Sequence, residues 1–201
     1  MVQINMVKNQ PSLCQRRNGG GINGEREVNN YLYHLSKEDE YLFTNILLPL
    51  KNGCTTEIDT LLITRKGIFC IEIKNWKGYI EGDDYSKHWI QKYKPFSSTY
   101  KQLHNPVKQN ENHCFVIERL LKNEFNVENV VIFLKIKNRR NLHSRFIYEL
   151  NEFIEYFNSL PNNIINKEDV FFAAEKLKKY KATRYELETH KREIKNKYKD
   201  D

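Results

Sequence analysis

Cysteine is scarce in this chain, and its placement excludes two kinds of cross-linked domain. Four cysteines occur among 201 residues, and no two of them form a Cys-x-x-Cys pair. Disulfide frameworks and cysteine-based zinc sites depend on paired or closely spaced thiols, so we expect neither. Cys70 lies in a predicted strand and Cys114 on a predicted helix, and both are interpreted as small buried thiols.

Long hydrophobic runs are missing as well. No segment approaches the ~20 apolar residues that a membrane-spanning helix needs. Residues 1–8 contain neither the apolar core nor the cleavage site of a secretory signal. The phosphate-binding loop and the dinucleotide-binding glycine fingerprint are also absent. Because membrane-spanning and signal segments are missing, we expect a soluble, cytoplasmic protein without a membrane partner.

The charge balance is uneven, because lysine and arginine outnumber aspartate and glutamate by 33 to 26. The resulting net charge of +7 suits a polyanionic partner such as nucleic acid. Basic residues are also in excess from Glu175 to the end of the chain. A solvated or frayed helix is the favoured interpretation of this tail, and a DNA-contacting arm is the alternative.

The most informative residues are three charged ones inside two strand-like runs. Asp59 lies in the run 58–64, and Glu72 and Lys74 lie in the run 68–74, with a short turn between the runs. This pattern predicts a hairpin. Because side chains alternate along a strand, Glu72 and Lys74 share one face. If the turn has an even length, Asp59 lies opposite them on the same face.

This spacing suits divalent-metal phosphodiester chemistry. Asp59 and Glu72 offer the oxygen ligands that Mg²⁺ or Mn²⁺ prefers, and Lys74 can orient the attacking water or stabilise the charged transition state. A buried Asp–Lys or Glu–Lys ion pair in an ordinary sheet explains the same residues. The three residues alone leave both interpretations open.

A helix is predicted from Gly24 to about Ser36, after a loose arm over residues 1–22, with Asn23 as its cap. Its apolar stripe consists of Val28, Tyr31, Leu32 and Leu35. Glu25 belongs to that inward stripe, which makes it a candidate metal ligand, whereas Glu27 lies beside it. Compensation of the helix dipole accounts well for Glu27 and less well for Glu25.

Asn105 and Pro106 predict a second helix, with a cap followed by a proline at the first helical position. This helix runs to about Lys122, and its core stripe consists of Val107, Cys114, Ile117 and Leu121. Gln109 and His113 lie one turn apart on a neighbouring face. There they serve either a functional site or an ordinary solvated surface.

The remaining patterns complete an α/β order. Further strands are predicted at 41–48, 79–81, 88–91, 130–134 and 145–148, and further helices at about 150–159 and 167–197. We expect a mixed central sheet flanked by the helices that begin near Gly24 and Pro106. Four aromatic residues occur close together among lysines, which suits either nucleic-acid contacts or the edge of an aromatic core. They are Trp76, Trp89, Tyr93 and Phe96.

Together these residues resemble the nuclease-related domain (NERD) family of the PD-(D/E)xK nuclease superfamily. The matching pieces are Gly24–Glu25, Glu57–Asp59, Gly67–Gly78 and Asn105–Gln109, in the family's order. The resemblance implies a restriction-endonuclease-like core, which we expect over residues 23–160. The basic, helix-like pattern of the remaining residues predicts a helical extension over residues 161–201. The resemblance also implies that Glu25, Asp59 and Glu72 bind the metal, that Lys74 is the catalytic lysine, and that Gln109 completes the active site.

We therefore expect a Mg²⁺- or Mn²⁺-dependent nuclease. Its expected substrate is DNA, and RNA is left open. The expected setting is bacterial plasmid, phage or genome processing or defence. Expected nucleic-acid contacts are Trp76, Lys77, Lys108 and His113. The alternative is a non-catalytic nucleic-acid-binding or interaction module of the same fold. The oligomeric state is left open, with a dimer among the options.

Overall fold

The computed structural model describes residues 20–36, 39–51, 53–137 and 139–197, with side chains from Gly24 to Asn196. Cys14 and the predicted arm up to residue 19 lie outside these residues. In chain order the elements are α1 (Gly20–Leu35), β1 (Tyr41–Pro49), β2 (Thr55–Thr64), β3 (Gly67–Lys74), β4 (Tyr79–Asp83), β5 (His88–Lys92), β6 (Lys101–His104), α2 (Pro106–Leu120), β7 (Val127–Phe133), β8 (Leu142–His143), β9 (Ile147–Tyr148), α3 (Leu150–Ser159), α4 (Lys167–Lys178) and α5 (Arg184–Lys197).

The central sheet has five strands in the order β1-β2-β3-β7-β9. β1, β2 and β3 pair antiparallel, whereas β3, β7 and β9 pair parallel, so the sheet is mixed. β7 lies inside the sheet, and its residues 130–133 are buried, as the continuous apolar run predicts. The predicted α/β fold with a mixed central sheet is confirmed, and it is consistent with a restriction-endonuclease-like core.

A second sheet has four strands in the order β6-β5-β4-β8. The sequence patterns predict β4 and β5 but not β6 or β8, because β6 is mostly exposed and β8 has only two residues. Trp89 on β5 is fully buried and stacks on Phe133 of β7 with ring centroids 6.3 Å apart. The core-edge interpretation is therefore right for Trp89, whereas Tyr93 and Phe96 are exposed.

Helices cover both faces of the central sheet. Ile68 and Cys70 of β3 belong to the hydrophobic cluster that α2 and α4 share. Phe69 and Ile71, which alternate with them, belong to the cluster under α1 and α3. Both Cys70 and Cys114 are buried, as predicted. Among the described residues, no helix has the length and apolar character needed to cross a membrane.

The two predicted helix caps have different outcomes. The Asn105 side chain accepts hydrogen bonds from the backbone nitrogens of Val107 (2.9 Å) and Lys108 (3.3 Å), so this cap is confirmed. The cap predicted at Asn23 is wrong, because α1 already begins at Gly20. Tyr31 also leaves the predicted apolar stripe and is exposed, because the edge of that stripe reaches the solvent.

The C-terminal part is more closely packed than a solvated tail. The predicted helix over 167–197 is interrupted between α4 and α5. Leu177 at the end of α4 is fully buried in the core, and His190 on α5 is only 5% exposed. The interpretation of this region as a frayed or solvated helix is therefore wrong for these two residues.

Candidate active site

The β2–β3 hairpin brings the acidic residues together. Thr64 pairs with Gly67 and Thr60 pairs with Ile71, so the turn contains an even number of residues. Continued by one position, this register places Asp59 opposite Glu72 on the same face of the sheet. Asp59 Oδ2 accepts a hydrogen bond from the backbone nitrogen of Ile73 at 2.9 Å. The turn therefore has the even length on which the predicted placement of Asp59 depends.

Glu72 lies at the centre of a polar network, and only 3% of it is exposed. Its Oε1 atom is paired with the Lys74 ammonium and accepts a hydrogen bond from Gln109 Nε2 at 3.1 Å. Gln109 Oε1 lies 3.4 Å from Lys74 Nζ, so the three side chains contact one another. On the opposite side, His113 Nδ1 is 3.8 Å from Glu72 Oε2.

Burial and nearby negative charges raise the pKa values of both carboxylates. Burial raises the pKa of Asp59 to about 7, and the negative charge of Glu72 adds to the rise. Burial also raises the pKa of Glu72, although Lys74 opposes that shift. A group that carries compensating positive charge would relieve both effects, and a divalent cation is one such group.

Glu25 on α1 belongs to the same electrostatic cluster. Burial raises its pKa to about 7, and the charge of Asp59 is the next largest cause. Glu25 retains exposed surface, so water screens part of this interaction. Glu27 instead lines a separate cleft of about 470 Å³ together with Asn75 and Lys77. Its electrostatic interaction with Asp59 makes Glu25 a better candidate than Glu27 for the helix acid.

Close packing at Gly24 holds α1 near the site. A Cβ atom at Gly24 would lie 1.9 Å from Leu134 Cδ1 and 3.7 Å from Asn75 Nδ2. A larger residue at this position would have to displace the Leu134 side chain at the end of β7.

Asn110 on α2 fixes the position of Gln109 and His113. Its side-chain amide donates to the backbone oxygens of Cys70 (2.8 Å) and Val130 (3.1 Å), and its Oδ1 lies 3.1 Å from Cys70 Sγ. α2 is thereby tied to β3 and β7. The role of Asn110 is not predicted from the sequence, although this residue lies one turn before Cys114 on the predicted core stripe.

His113 is buried, with 4% of it exposed, and Thr56 on β2 holds its other nitrogen. Thr56 Oγ1 lies 2.9 Å from His113 Nε2. Burial lowers the pKa of His113 to about 4, and the nearby charge of Lys74 contributes. The imidazole is therefore neutral near pH 7 and lies beneath Glu72. A direct contact between His113 and nucleic acid stays a prediction.

The other predicted nucleic-acid residues surround the site in different ways. Trp76 is half-buried with its ring centroid 5.6 Å from that of Phe133, and Lys74 Nζ lies 5.6 Å from the Trp76 ring centroid. Lys77 is exposed, and Lys108 is partly buried in the first turn of α2. Trp76 therefore packs against the core. Lys77 is accessible from solvent, and Lys108 is partly accessible.

The donor set suits a hard cation with few protein ligands. Within the described part of the chain, no group of three or more His, Cys, Asp and Glu side chains is arranged so that it could hold a metal ion. Mg²⁺, however, commonly uses one or two carboxylates and keeps several waters. Asp59 and Glu72 offer that number of carboxylates on one face of the sheet.

Comparison with known proteins agrees with this geometry. An uncharacterized protein of Bacillus anthracis is 29% identical over 153 residues, which are 75% of this chain and 68% of the relative. No solved structure matches the chain significantly. The family model for the nuclease-related domain matches residues 20–134, which is more than half of the chain and spans α1 to the end of β7. The chain therefore belongs to the nuclease-related domain (NERD) family.

Proposed function

We propose that this protein is a divalent-metal-dependent nuclease that hydrolyses phosphodiester bonds in nucleic acid, with DNA as the first substrate to test. One observation supports this most strongly. Five side chains from four different elements meet at one end of the central sheet: Glu25, Asp59, Glu72, Lys74 and Gln109. A Glu72–Lys74 ion pair that served stability alone would not need two further carboxylates, Asp59 and Glu25, beside it.

Asp59 and Glu72 would hold the metal, and Glu25 would support it from α1. When bound, Mg²⁺ or Mn²⁺ stabilises negative charge on the phosphate and makes a bound water more acidic. Asp59 is suited to this position because its Oδ2 is fixed by the Ile73 backbone nitrogen at 2.9 Å. Glu72 is fixed by its hydrogen bond from Gln109, and the neutral His113 lies 3.8 Å from its other oxygen.

Lys74 would stabilise the negative charge that develops on the phosphate during hydrolysis. Its ammonium is held between Glu72 and Gln109, and 17% of its side chain is exposed. The charge is therefore oriented but still accessible to a substrate from solvent. A preoriented charge of this kind needs little reorganisation when the transition state forms.

The test is a cleavage assay with Mg²⁺ or Mn²⁺ on linear, branched and single-stranded DNA and on RNA. We expect wild-type protein to cleave at least one substrate and EDTA to stop cleavage. Glu25→Gln should lower the rate, whereas the matched control Glu27→Gln should keep it. Nucleic-acid binding without metal-dependent cleavage would instead support the non-catalytic binding module.

The proposed setting is bacterial plasmid, phage or genome processing or defence. The match to a protein of Bacillus anthracis supports a bacterial context. The net charge of +7 supports a partner with phosphate groups. We propose residues 23–160 as the catalytic core and residues 161–201 as its basic extension.

A further inference from the structure

The C-terminal helix α5 begins at a fixed place beside the central sheet. Residues 180–182 pair with the edge strand β1: Leu47 N donates to Tyr180 O at 3.0 Å, and Ala182 N donates to Asn45 O at 2.9 Å. Thr183 then caps α5, and its hydroxyl and backbone nitrogen both donate hydrogen bonds to the Glu186 carboxylate. This segment lies outside the family match over residues 20–134.

One face of α5 is anchored to the start of β2. His190 is 5% exposed, and its Nδ1 atom lies 2.8 Å from Thr55 Oγ1. The next residue, Lys191, places Nζ 3.1 Å from Glu57 Oε1. Since Glu57 precedes Asp59 by two residues on β2, the Lys191 ammonium lies next to the acidic end of the hairpin.

Lys191 also interacts electrostatically with the proposed active site. It lies close enough to that site to interact with Glu25 as well as with Glu57. Its side chain is 64% exposed, so the ammonium can contact a ligand from solvent as well as Glu57. Lys195, one turn further along α5, is also exposed and continues the basic surface away from the carboxylates.

We propose that Lys191 binds a backbone phosphate of the nucleic acid beside the carboxylate site, so that α5 forms one wall of the nucleic-acid path. This inference rests on the proposed function, and it assigns a specific contact to a part of the chain outside the matched family segment. Glu57 positions the Lys191 ammonium, which then binds a phosphate group of the nucleic acid as its second anionic partner. Lysine binds phosphate as a point charge, so the contact does not select a base sequence.

The test measures binding of labelled duplex DNA, single-stranded DNA and RNA in EDTA at several salt concentrations. Lys191→Gln should weaken binding by a factor of about 3 to 10 and lower the salt slope by about 0.9 for duplex DNA or about 0.7 for single strands. Lys191→Arg should keep most of the affinity. The control Arg192→Gln removes a neighbouring charge on another side of α5 and should change binding much less.

A double variant at Glu57 and Lys191 distinguishes two roles for Lys191, namely binding a phosphate and offsetting the negative charge of Glu57. If Lys191 binds phosphate, Glu57→Gln combined with Lys191→Gln still binds weakly. If Lys191 only offsets the charge of Glu57, the double variant regains wild-type affinity, which would overturn the proposal. Equal effects of Lys191→Gln and Arg192→Gln, or no nucleic-acid binding by wild type, would also overturn it.

Failure of this inference is distinguishable from failure of the proposed function. If wild type cleaves nucleic acid but Lys191→Gln leaves KM and the salt slope unchanged, the nuclease proposal stands and the α5 contact is wrong. If binding depends on Lys191 but no metal-dependent cleavage occurs, the contact stands and the catalytic proposal fails.

Discussion

One end of the β2–β3 hairpin is apolar and fully buried, whereas the other end carries charged side chains that are mostly only partly buried. Near the turn, Ile63 and Ile68 pair with each other and are fully buried. At the open end, Glu72 is only 3% exposed, and the pKa of its neighbour Asp59 is raised to about 7 by burial and by Glu72. Burial stabilises the fold at the first end and opposes ionisation at the second.

This contrast shows which part of the hairpin serves stability and which part serves chemistry. The apolar end holds both strands rigidly, because α2 and α4 pack on Ile63 and Ile68 in one cluster. The acidic end is thereby presented on a fixed frame, which favours a defined catalytic geometry. Substitutions at the two ends should therefore have different effects on cleavage and on stability.

The largest effect on cleavage is expected from Asp59→Asn. It should lower kcat by a factor on the order of 10³ or more, because a proposed metal ligand loses its charge. The same variant should melt at a higher temperature than wild type in EDTA, since the repulsion between Asp59 and Glu72 is gone. Single-turnover cleavage and thermal denaturation check both parts. Retained cleavage, or a lower melting temperature in EDTA, would contradict the assignment.

The largest effect on stability is expected at the apolar end. Ile63→Ala should lower the free energy of unfolding by about 2–5 kcal/mol, whereas Ile63→Val should cost only about 0.5–1.5 kcal/mol. Chemical denaturation measures both values. Cleavage per folded molecule should stay near wild type for both variants. A large loss of kcat in fully folded Ile63→Val protein would show that the two ends are not separable.

Lys74 tests whether the ion pair at the acidic end serves catalysis or structure. Lys74→Ala should lower kcat by about 10²–10³ with little change in nucleic-acid affinity, because its charge acts mainly in the transition state. Lys74→Arg should restore only part of the rate, since the guanidinium places its charge differently. In a purely structural role, Lys74→Ala would instead lower the melting temperature while the folded fraction cleaved normally.

Local rules were enough to predict this hairpin and much of the fold. Alternation along the strands and an even turn place Asp59 opposite Glu72, and the Asn105 cap fixes the start of α2. Those features depend on residues close in sequence. The nuclease-related resemblance then joined Glu25 and Gln109 to the same site, which periodicity alone could not do.

Features that depend on distant residues were not predictable from pattern. His113 lies on a helix face that sequence leaves open, and only packing against Thr56 shows that it is buried. The placement of Lys191 near Glu57 depends on pairing between residues 180–182 and β1. The residues around Lys191 in sequence are basic and polar, as in an ordinary solvated helix. The sequence therefore offered little indication of the contact between Lys191 and Glu57.

Stability in the absence of metal should also depend on pH. The pKa of Asp59 is about 7 in the folded protein, compared with about 3.9 in an unfolded chain. Between these values the folded state holds a proton that the unfolded state has lost, so this group makes the free energy of unfolding decrease as pH rises. His113 acts in the opposite direction, because its pKa is lowered to about 4.

Comparison of wild type with Asp59→Asn isolates the carboxylate, since His113 is present in both proteins. In EDTA, the melting temperatures should be similar below about pH 3, where Asp59 is mostly protonated in both states. The variant should become progressively more stable than wild type up to about pH 7, and the difference should then stay constant. Mn²⁺ should raise the melting temperature of wild type more than that of the variant, because the metal binds the charged carboxylate. A difference that did not change with pH would show that Asp59 ionises normally, and the electrostatic contrast between the two ends of the hairpin would be lost.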